Sequence, residues 1–135
     1  MQKSFITDAM VDQWKQTGFL VVPQVYNSAE MTDIACWVEE IQNWPETTGR
    51  HMMYFEDSAA SGERLLNRVE NFIPYHEDMA ALLESDLRGA CTRLFEQEAV
   101  LFKEKINFKL PGGGGFEAHQ DAQAGWETYA PHFIT

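Results

Sequence analysis

A histidine and a carboxylate stand two residues apart in the segment 119–121, His-Gln-Asp. If this segment is a β-strand, His119 and Asp121 project from the same face, because successive residues of a strand alternate between its two faces. One imidazole and one carboxylate directed at a common point are two of the three protein ligands in the 2-His-1-carboxylate site that holds non-haem Fe(II). The pair is therefore a candidate metal site.

The third ligand of such a site has little sequence left in which to occur. The chain ends at Thr135, and His132 is the only histidine after Asp121. We interpret His51, His76 and His132 as surface or hydrogen-bonded histidines. A His-x-Asp pair also arises by chance on half-buried strands, so its weight depends on the segments around it.

The segment 100–110, which precedes the pair, alternates between apolar and polar residues, as a strand with two different faces does. The apolar set is Phe102, Ile106, Phe108 and Leu110, and the polar set is Lys103, Lys105, Asn107 and Lys109. The polar face either meets solvent or lines the interior of a barrel, where a lysine or Asn107 would bind a carboxylate. A register slip of one residue would exchange the two faces.

Four consecutive glycines, 112–115, follow this strand. They lack the Gly-Lys-Ser/Thr ending of a phosphate-binding loop, and no helix pattern follows them. The run is thus interpreted as a connection between strands, with an extended pattern resuming over 116–121.

The first hundred residues predict mainly helices. Capping residues and helical spacing indicate helices from Thr7 or Asp8 to Gly18, over 27–44, and over 78–95 with a break near Ser85. The run 19–22 predicts a buried strand, and 51–55 and 65–72 predict shorter extended pieces. Helices first and strands after favour a single α+β domain, helical over about 1–99, with the sheet beginning at about 100–135.

Composition excludes several function classes. The net charge is −11, with seventeen acidic and seven basic residues in 1–99, which argues against nucleic-acid binding. The sequence has no apolar run long enough for a membrane span and no secretory signal pattern, so we expect a cytoplasmic protein. Cys36 and Cys91 are expected to be reduced thiols.

Three stretches together resemble the phytanoyl-CoA dioxygenase family of Fe(II)/2-oxoglutarate-dependent oxygenases. They are Gly-Phe-Leu-Val-Val-Pro at 18–23 with Asn-Ser-Ala-Glu at 27–30, Lys-Ile-Asn-Phe-Lys-Leu-Pro at 105–111, and the glycine loop with His-Gln-Asp. The resemblance covers nearly the whole chain. The run 103–126 is most similar to bacterial members that hydroxylate small polar compounds, including 2-aminoethylphosphonate.

The resemblance implies a double-stranded β-helix, a jelly-roll-like, cupin-like barrel with N-terminal helices packed on its first strands. It implies that His119 and Asp121 bind Fe(II), that Lys105 and Asn107 lie near the co-substrate 2-oxoglutarate, and that Trp126 and Tyr129 line the substrate pocket. The implied chemistry is O2 activation, decarboxylation of 2-oxoglutarate to succinate, and hydroxylation of a small polar or anionic substrate.

The sequence departs from this family at its end. The distal histidine and the 2-oxoglutarate-binding arginine of the family fall on later strands, and Lys109 is the last lysine or arginine here. The apolar ending 130–135 reads as a strand interrupted in mid-course. We therefore expect the N-terminal portion of a longer oxygenase, with little or no turnover by itself.

Two other classes remain open. A non-catalytic fragment could pair its open sheet edge with another chain, giving a homo-oligomer or another assembly. A cupin-like metal-binding module would bind Zn(II) or Ni(II) without depending on 2-oxoglutarate.

Overall fold

The computed structural model describes residues 5–119 and 121–135. The α-helices are α1 (Asp8–Thr17), α2 (Ser28–Gln42), α3 (Glu77–Ala81) and α4 (Arg88–Phe95). The strands are β1 (Met52–Asp57), β2 (Arg64–Glu70) and β3 (Lys105–Asn107). Short 3-10 helices cover Ile73–Tyr75, Asp121–Ala124 and Trp126–Thr128.

The first two helices begin where their capping residues predict, and α1 also ends at its predicted glycine. The Thr7 side chain accepts a hydrogen bond from the Met10 N–H, and Gly18 ends α1 in the left-handed conformation with φ 76°. The Asn27 side chain accepts from the N–H groups of residues 29 and 30, while the Glu30 carboxylate accepts from the Asn27 N–H. This capping box confirms the predicted start of α2.

The helical stretch from α3 to α4 contains the interruption that was expected near Ser85. Leu82–Leu87 forms a π-helical segment between the two α-helices. Ser85 Oγ donates to the Ala81 carbonyl oxygen at 2.5 Å, a type of side-chain bond that competes with the regular backbone ladder.

The sheet is antiparallel, with β2 between β1 and β3. Its register places Val69 opposite both Met53 and Ile106, and these side chains pack toward the core. A bulge in β2 leaves Asn67 without a partner residue on β1, because Tyr54 pairs with Arg68 and Phe55 with Leu66.

The hydrophobic core lies between one face of this sheet and helices α2 and α3. Phe72, which is 1% exposed, lies in it just beyond the end of β2. Its other buried members are Ile41, Leu66, Val69, Met79 and Phe108. The alternation predicted for 100–110 is confirmed only in its second half, where Ile106, Phe108 and Leu110 face this core and the lysines are exposed. The strand itself is limited to Lys105–Asn107, and Phe102 is 43% exposed.

The predicted buried strand at 19–22 is wrong. These residues form no strand, and Phe19 and Val21 are 59% and 73% exposed. A strand must satisfy its backbone by pairing, and among the described residues no strand lies beside this run. Thr17 Oγ1 instead donates to the Phe19 carbonyl oxygen at 2.9 Å.

The predicted strand at 116–121 is also not formed by the residues that the structure describes. Residues 116–119 have no regular secondary structure, and Asp121 begins a 3-10 helix. Gln120 lies outside the described residues. His119 and Asp121 therefore do not share the face of a strand, and any convergence of their side chains has another cause.

The α+β class is confirmed, but the expected order of elements is not, because β1 and β2 lie between α2 and α3. The described residues form a single three-stranded sheet, so the double-stranded β-helix remains a prediction. The one-domain assignment with a change near residue 99 also remains a prediction. Within the described residues, the helices are too short or too polar to cross a membrane.

Candidate functional site

His119 and Asp121 approach each other directly. Nε2 of His119 lies 3.3 Å from Oδ1 of Asp121. Asp121 is half-buried at the start of its 3-10 helix, whereas His119 is exposed. An unprotonated Nε2 and a carboxylate oxygen both carry lone pairs directed into the space between them, which suits a shared metal ion.

The other ring nitrogen of His119 has an orienting partner that sequence reasoning could not assign. Nδ1 lies 2.6 Å from the carbonyl oxygen of Glu117. A carbonyl oxygen only accepts, so Nδ1 carries the hydrogen, and the lone pair of the neutral ring is then on Nε2. Metal-binding histidines commonly have such a second hydrogen bond, which sets the tautomer and the ring orientation.

Lys105 and Asn107 lie on the sheet face opposite the core. The register places Asn107 beside Arg68, and Arg68 beside Tyr54 on β1. In the next row, Lys105 lies opposite Glu70. Directly opposed residues of antiparallel strands share a face, so this polar face carries Arg68 and Glu70 in addition to the two predicted residues.

Glu70 is a buried carboxylate between two cations. It is 5% exposed, and its Oε1 lies 2.9 Å from Arg68 Nε and 3.2 Å from Lys103 Nζ. Within the described residues, neither Arg68 Nε nor Glu70 Oε1 makes a hydrogen bond of good geometry, so the contact is an electrostatic one. Burying a carboxylate is costly unless it is paired, and the paired charges hold Arg68 and Lys103 beside β3.

Asp121 also faces a cavity of about 860 Å³. One wall comes from the helical stretch 79–95, and the other from the segments 97–106 and 126–135. Among the predicted site residues, Lys105, Asp121, Trp126 and Tyr129 line it. A largely apolar cavity with a few charged groups is the usual form of a small-molecule site.

An aromatic cluster built around Phe102 holds the end of the chain against this cavity. The Phe102 ring centroid lies 5.4 Å from that of Trp126, 5.4 Å from that of Tyr129 and 5.1 Å from that of Phe133. Trp126 and Phe133 are a further 5.4 Å pair. Such ring pairs stabilise beyond the area that they bury, so Phe102 links Trp126, Tyr129 and Phe133 in one cluster.

Five of the six predicted site residues are thus connected through Asp121 and the cavity, and the sixth, Asn107, lies on the sheet face. His119 and Asp121 form one contact, and Asp121 joins Trp126, Tyr129 and Lys105 in the cavity wall. Asn107 lies on the sheet face next to Lys105, beside Arg68. Their roles in binding remain predictions.

Sequence reasoning missed Arg68, Glu70 and Phe102 as parts of this region. Arg68 and Glu70 are two residues apart on β2, so they lie on the same face of the strand. Only the pairing with β3 reveals that Lys105 and Asn107 lie on this face of the sheet too. Phe102 was assigned to the apolar face of a strand, whereas β3 begins at Lys105. The exposed Phe102 ring packs on the chain end instead.

The remaining histidines and cysteines behave as expected. His51 Nε2 lies 3.1 Å from the Pro45 carbonyl oxygen, and His76 Nδ1 accepts from the Met79 N–H. Cys36 and Cys91 are free thiols, and burial raises the pKa of Cys91. Among residues 5–119 and 121–135, no three histidine, cysteine or acidic side chains form a metal-binding group.

Three relatives give this geometry a context. The chain is 48% identical over 122 residues to a 2-aminoethylphosphonate dioxygenase from the uncultured bacterium HF130_AEPn_1. It is 41% identical over 120 residues to a methylphosphonate hydroxylase from Gimesia maris, and 31% identical over 127 residues to the dioxygenase lolE1 of Epichloe uncinata.

These matches cover 90%, 88% and 92% of this chain but 47%, 45% and 48% of the relatives. The chain therefore spans about half the length of the curated relatives that it matches. No solved structure matches it. The sequence model of the phytanoyl-CoA dioxygenase family, however, matches residues 14–135, which include all six predicted site residues. The chain belongs to the phytanoyl-CoA dioxygenase family.

Proposed function

We propose that this chain carries part of the active site of an Fe(II)- and 2-oxoglutarate-dependent dioxygenase that hydroxylates a small phosphonate. The observation that supports it most is the contact of His119 with Asp121, within the segment that the family match covers. Membership in the family supports the reaction class, and the names of two relatives support the substrate class.

The two side chains suit Fe(II) as neighbouring ligands. Ligand atoms about 2.1 Å from an ion and at right angles to each other are about 3 Å apart, and the observed separation is 3.3 Å. Imidazole and carboxylate are the donor types of the 2-His-1-carboxylate site. A second histidine completes that set, and the described residues contain no such third donor beside the pair.

Glu117, the sheet residues and the ion have distinct roles in this proposal. When bound, the ion and 2-oxoglutarate supply O2 activation and the oxidation of a C–H bond. Glu117 holds the His119 ring through its carbonyl oxygen. Lys105 and Arg68 provide positive charge for the 2-oxoglutarate carboxylates, while Asn107 offers an amide donor on the same sheet face.

Replacing Lys105 with Ala tests the co-substrate site. A charge-assisted hydrogen bond contributes about 1.5–3 kcal/mol, so the Kd for 2-oxoglutarate should rise at least about tenfold when titrated calorimetrically with the Mn(II)-loaded chain. Lys15→Ala is the matched control, because Lys15 pairs with Glu96 at 2.5 Å, away from the sheet. Equal binding of 2-oxoglutarate with and without Mn(II) would contradict the proposal.

The cavity beside Asp121 is the proposed substrate site. Trp126 and Tyr129 supply flat apolar walls, and Lys103 supplies a cation for a phosphonate group. Replacing Trp126 with Ala should weaken the binding of 2-aminoethylphosphonate about tenfold, because the substitution also frees Phe102 and Phe133. Trp14→Ala, on α1, should leave the affinity unchanged. An equal loss of affinity in both variants would show that the cavity is not the substrate site.

A second candidate function rests on the edges of the sheet. Among the described residues, β1 and β3 each pair only with β2, so each presents an open edge to another chain. A chain that assembles in this way would form dimers or larger species in light scattering. A monomer over the whole concentration range would count against it.

A further inference from the structure

Three of the four consecutive glycines lie against the hairpin of β1 and β2. A Cβ atom at position 112 would lie 2.4 Å from Ser58 Oγ. One at 113 would lie 2.8 Å from Glu56 Oε1, and one at 114 would lie 2.9 Å from Glu56 Oε2. At position 115 nothing lies within 4 Å. Glycine at 112–114 thus permits a close approach, and a Cβ atom there would require the Ser58 or Glu56 side chain to shift.

Hydrogen bonds fix this approach at both ends. Glu56 Oε2 accepts from the Gly114 N–H at 2.9 Å, and the Gly112 carbonyl oxygen accepts from the Ala59 N–H at 3.0 Å. The hydrogen bond that Asn67 donates and the bond from Gly114 hold the pKa of Glu56 below its ordinary value. A carboxylate is a stronger acceptor than a neutral group, so Glu56 is the principal anchor of the loop.

The bulge in β2 directs a second donor at the same carboxylate. Asn67, the residue without a partner on β1, donates from Nδ2 to Glu56 Oε1 at 2.9 Å. The backbone carbonyl oxygen of Asn67 accepts a hydrogen bond from the Phe108 N–H at 2.8 Å. Bulges commonly re-aim a side chain near functional sites. Here the bulged residue, Asn67, binds Oε1 of Glu56, and Oε2 accepts from the Gly114 N–H.

Beyond the loop, ring contacts lead to His119. Lys109 Nζ lies 4.0 Å from the centroid of the Phe116 ring, and the Phe116 ring lies edge-on to that of His119 at 6.5 Å. Residues 115–119 belong to no helix or strand. Their positions therefore depend on these side-chain contacts and on the anchor where the segment begins.

We propose that Glu56 is a positioning residue for His119: its carboxylate holds the glycine loop on the hairpin and so sets where Phe116 and His119 lie. This inference rests on the proposed function in one respect: the positioned His119 is proposed to bind the metal ion. Glu56 itself touches neither member of the His119–Asp121 pair.

Glu56→Gln tests the role of the carboxylate. The amide that replaces it has an NH2 group that cannot accept and a single neutral oxygen, which is a weaker acceptor than a carboxylate oxygen, so the bond from the Gly114 N–H is weakened or lost. We expect hydrogen exchange at the Gly114 amide to become about tenfold faster. We also expect the nuclear Overhauser contact between the Phe116 and His119 rings to disappear, and the Kd for Mn(II) to rise several-fold.

The control is Glu46→Gln, which removes a comparably placed carboxylate that binds Arg64 at 2.7 Å. It should leave all three measurements unchanged. Gly114→Ala and Gly115→Ala form a second pair, because only the first would collide with Glu56. Gly114→Ala should reproduce the effects of Glu56→Gln even if the latter variant folds poorly.

The outcomes separate this inference from the proposed function. If exchange at Gly114 accelerates while the Phe116–His119 ring contact persists, Glu56 holds the loop but does not position His119, and the inference is overturned. If the wild-type chain binds Mn(II) no more tightly than His119→Ala, the proposed metal site fails. The ring contact, which needs no metal, still decides the positioning role in that case.

Discussion

Replacing His119 with Ala should weaken the binding of Mn(II), a redox-stable substitute for Fe(II), by about 100-fold. Loss of an outer-shell partner alone typically costs 10–100-fold in metal affinity, and His119 is proposed to be one of only two ligands in the described residues. Asp121→Asn should have a similar effect, because it keeps the size of the side chain and removes its charge. Titration followed by electron paramagnetic resonance measures both.

His132→Ala is the matched control for this experiment. His132 is exposed, and it is the other histidine downstream of the glycine loop. We expect its replacement to leave the Mn(II) affinity unchanged. If His132→Ala weakened binding as much as His119→Ala, the ligand assignment would be wrong, and His132 would have to be considered as a further ligand.

Replacing Phe72 with Ala should destabilise the fold by about 3–5 kcal/mol, the usual range for a buried phenylalanine. Phe72 is 1% exposed, and it packs among core residues from the sheet and from helices α2 and α3. Small domains have a total stability of only about 5–15 kcal/mol. Urea denaturation monitored by circular dichroism should therefore show a much lower midpoint or an unfolded variant.

Phe19→Ala provides the comparison. Phe19 is 59% exposed, and replacing exposed residues usually changes stability by less than about 0.5 kcal/mol. Equal destabilisation by both variants would mean that the run 19–22 is buried after all. That result would restore the strand predicted there from its apolar sequence.

Local signals in the sequence were sufficient for the helices. Thr7, Gly18 and Asn27 act on backbone groups within a few residues of themselves, so their patterns identify the ends of α1 and the start of α2 correctly. The run 19–22 misled because the strand preference of its residues needs a neighbouring strand, and pairing is a property of the whole fold.

The sequence predicts candidate site residues, but it does not predict the geometry between them. Asp121 begins a 3-10 helix and His119 belongs to no strand, and no short-range pattern distinguishes this arrangement from the predicted strand. The roles inferred for Arg68 and Glu70 depend on the register between β2 and β3, which lie more than thirty residues apart in the sequence. Glu56 likewise reaches Gly114 across fifty-eight residues.

X-ray absorption spectroscopy of the Fe(II)-loaded chain under anaerobic conditions tests the central claim most directly. If His119 and Asp121 hold the ion, the spectrum should contain the scattering of one imidazole ring, and that contribution should be absent from His119→Ala and retained in His132→Ala. A spectrum with oxygen ligands alone, or one that is the same in wild type and His119→Ala, would contradict the account.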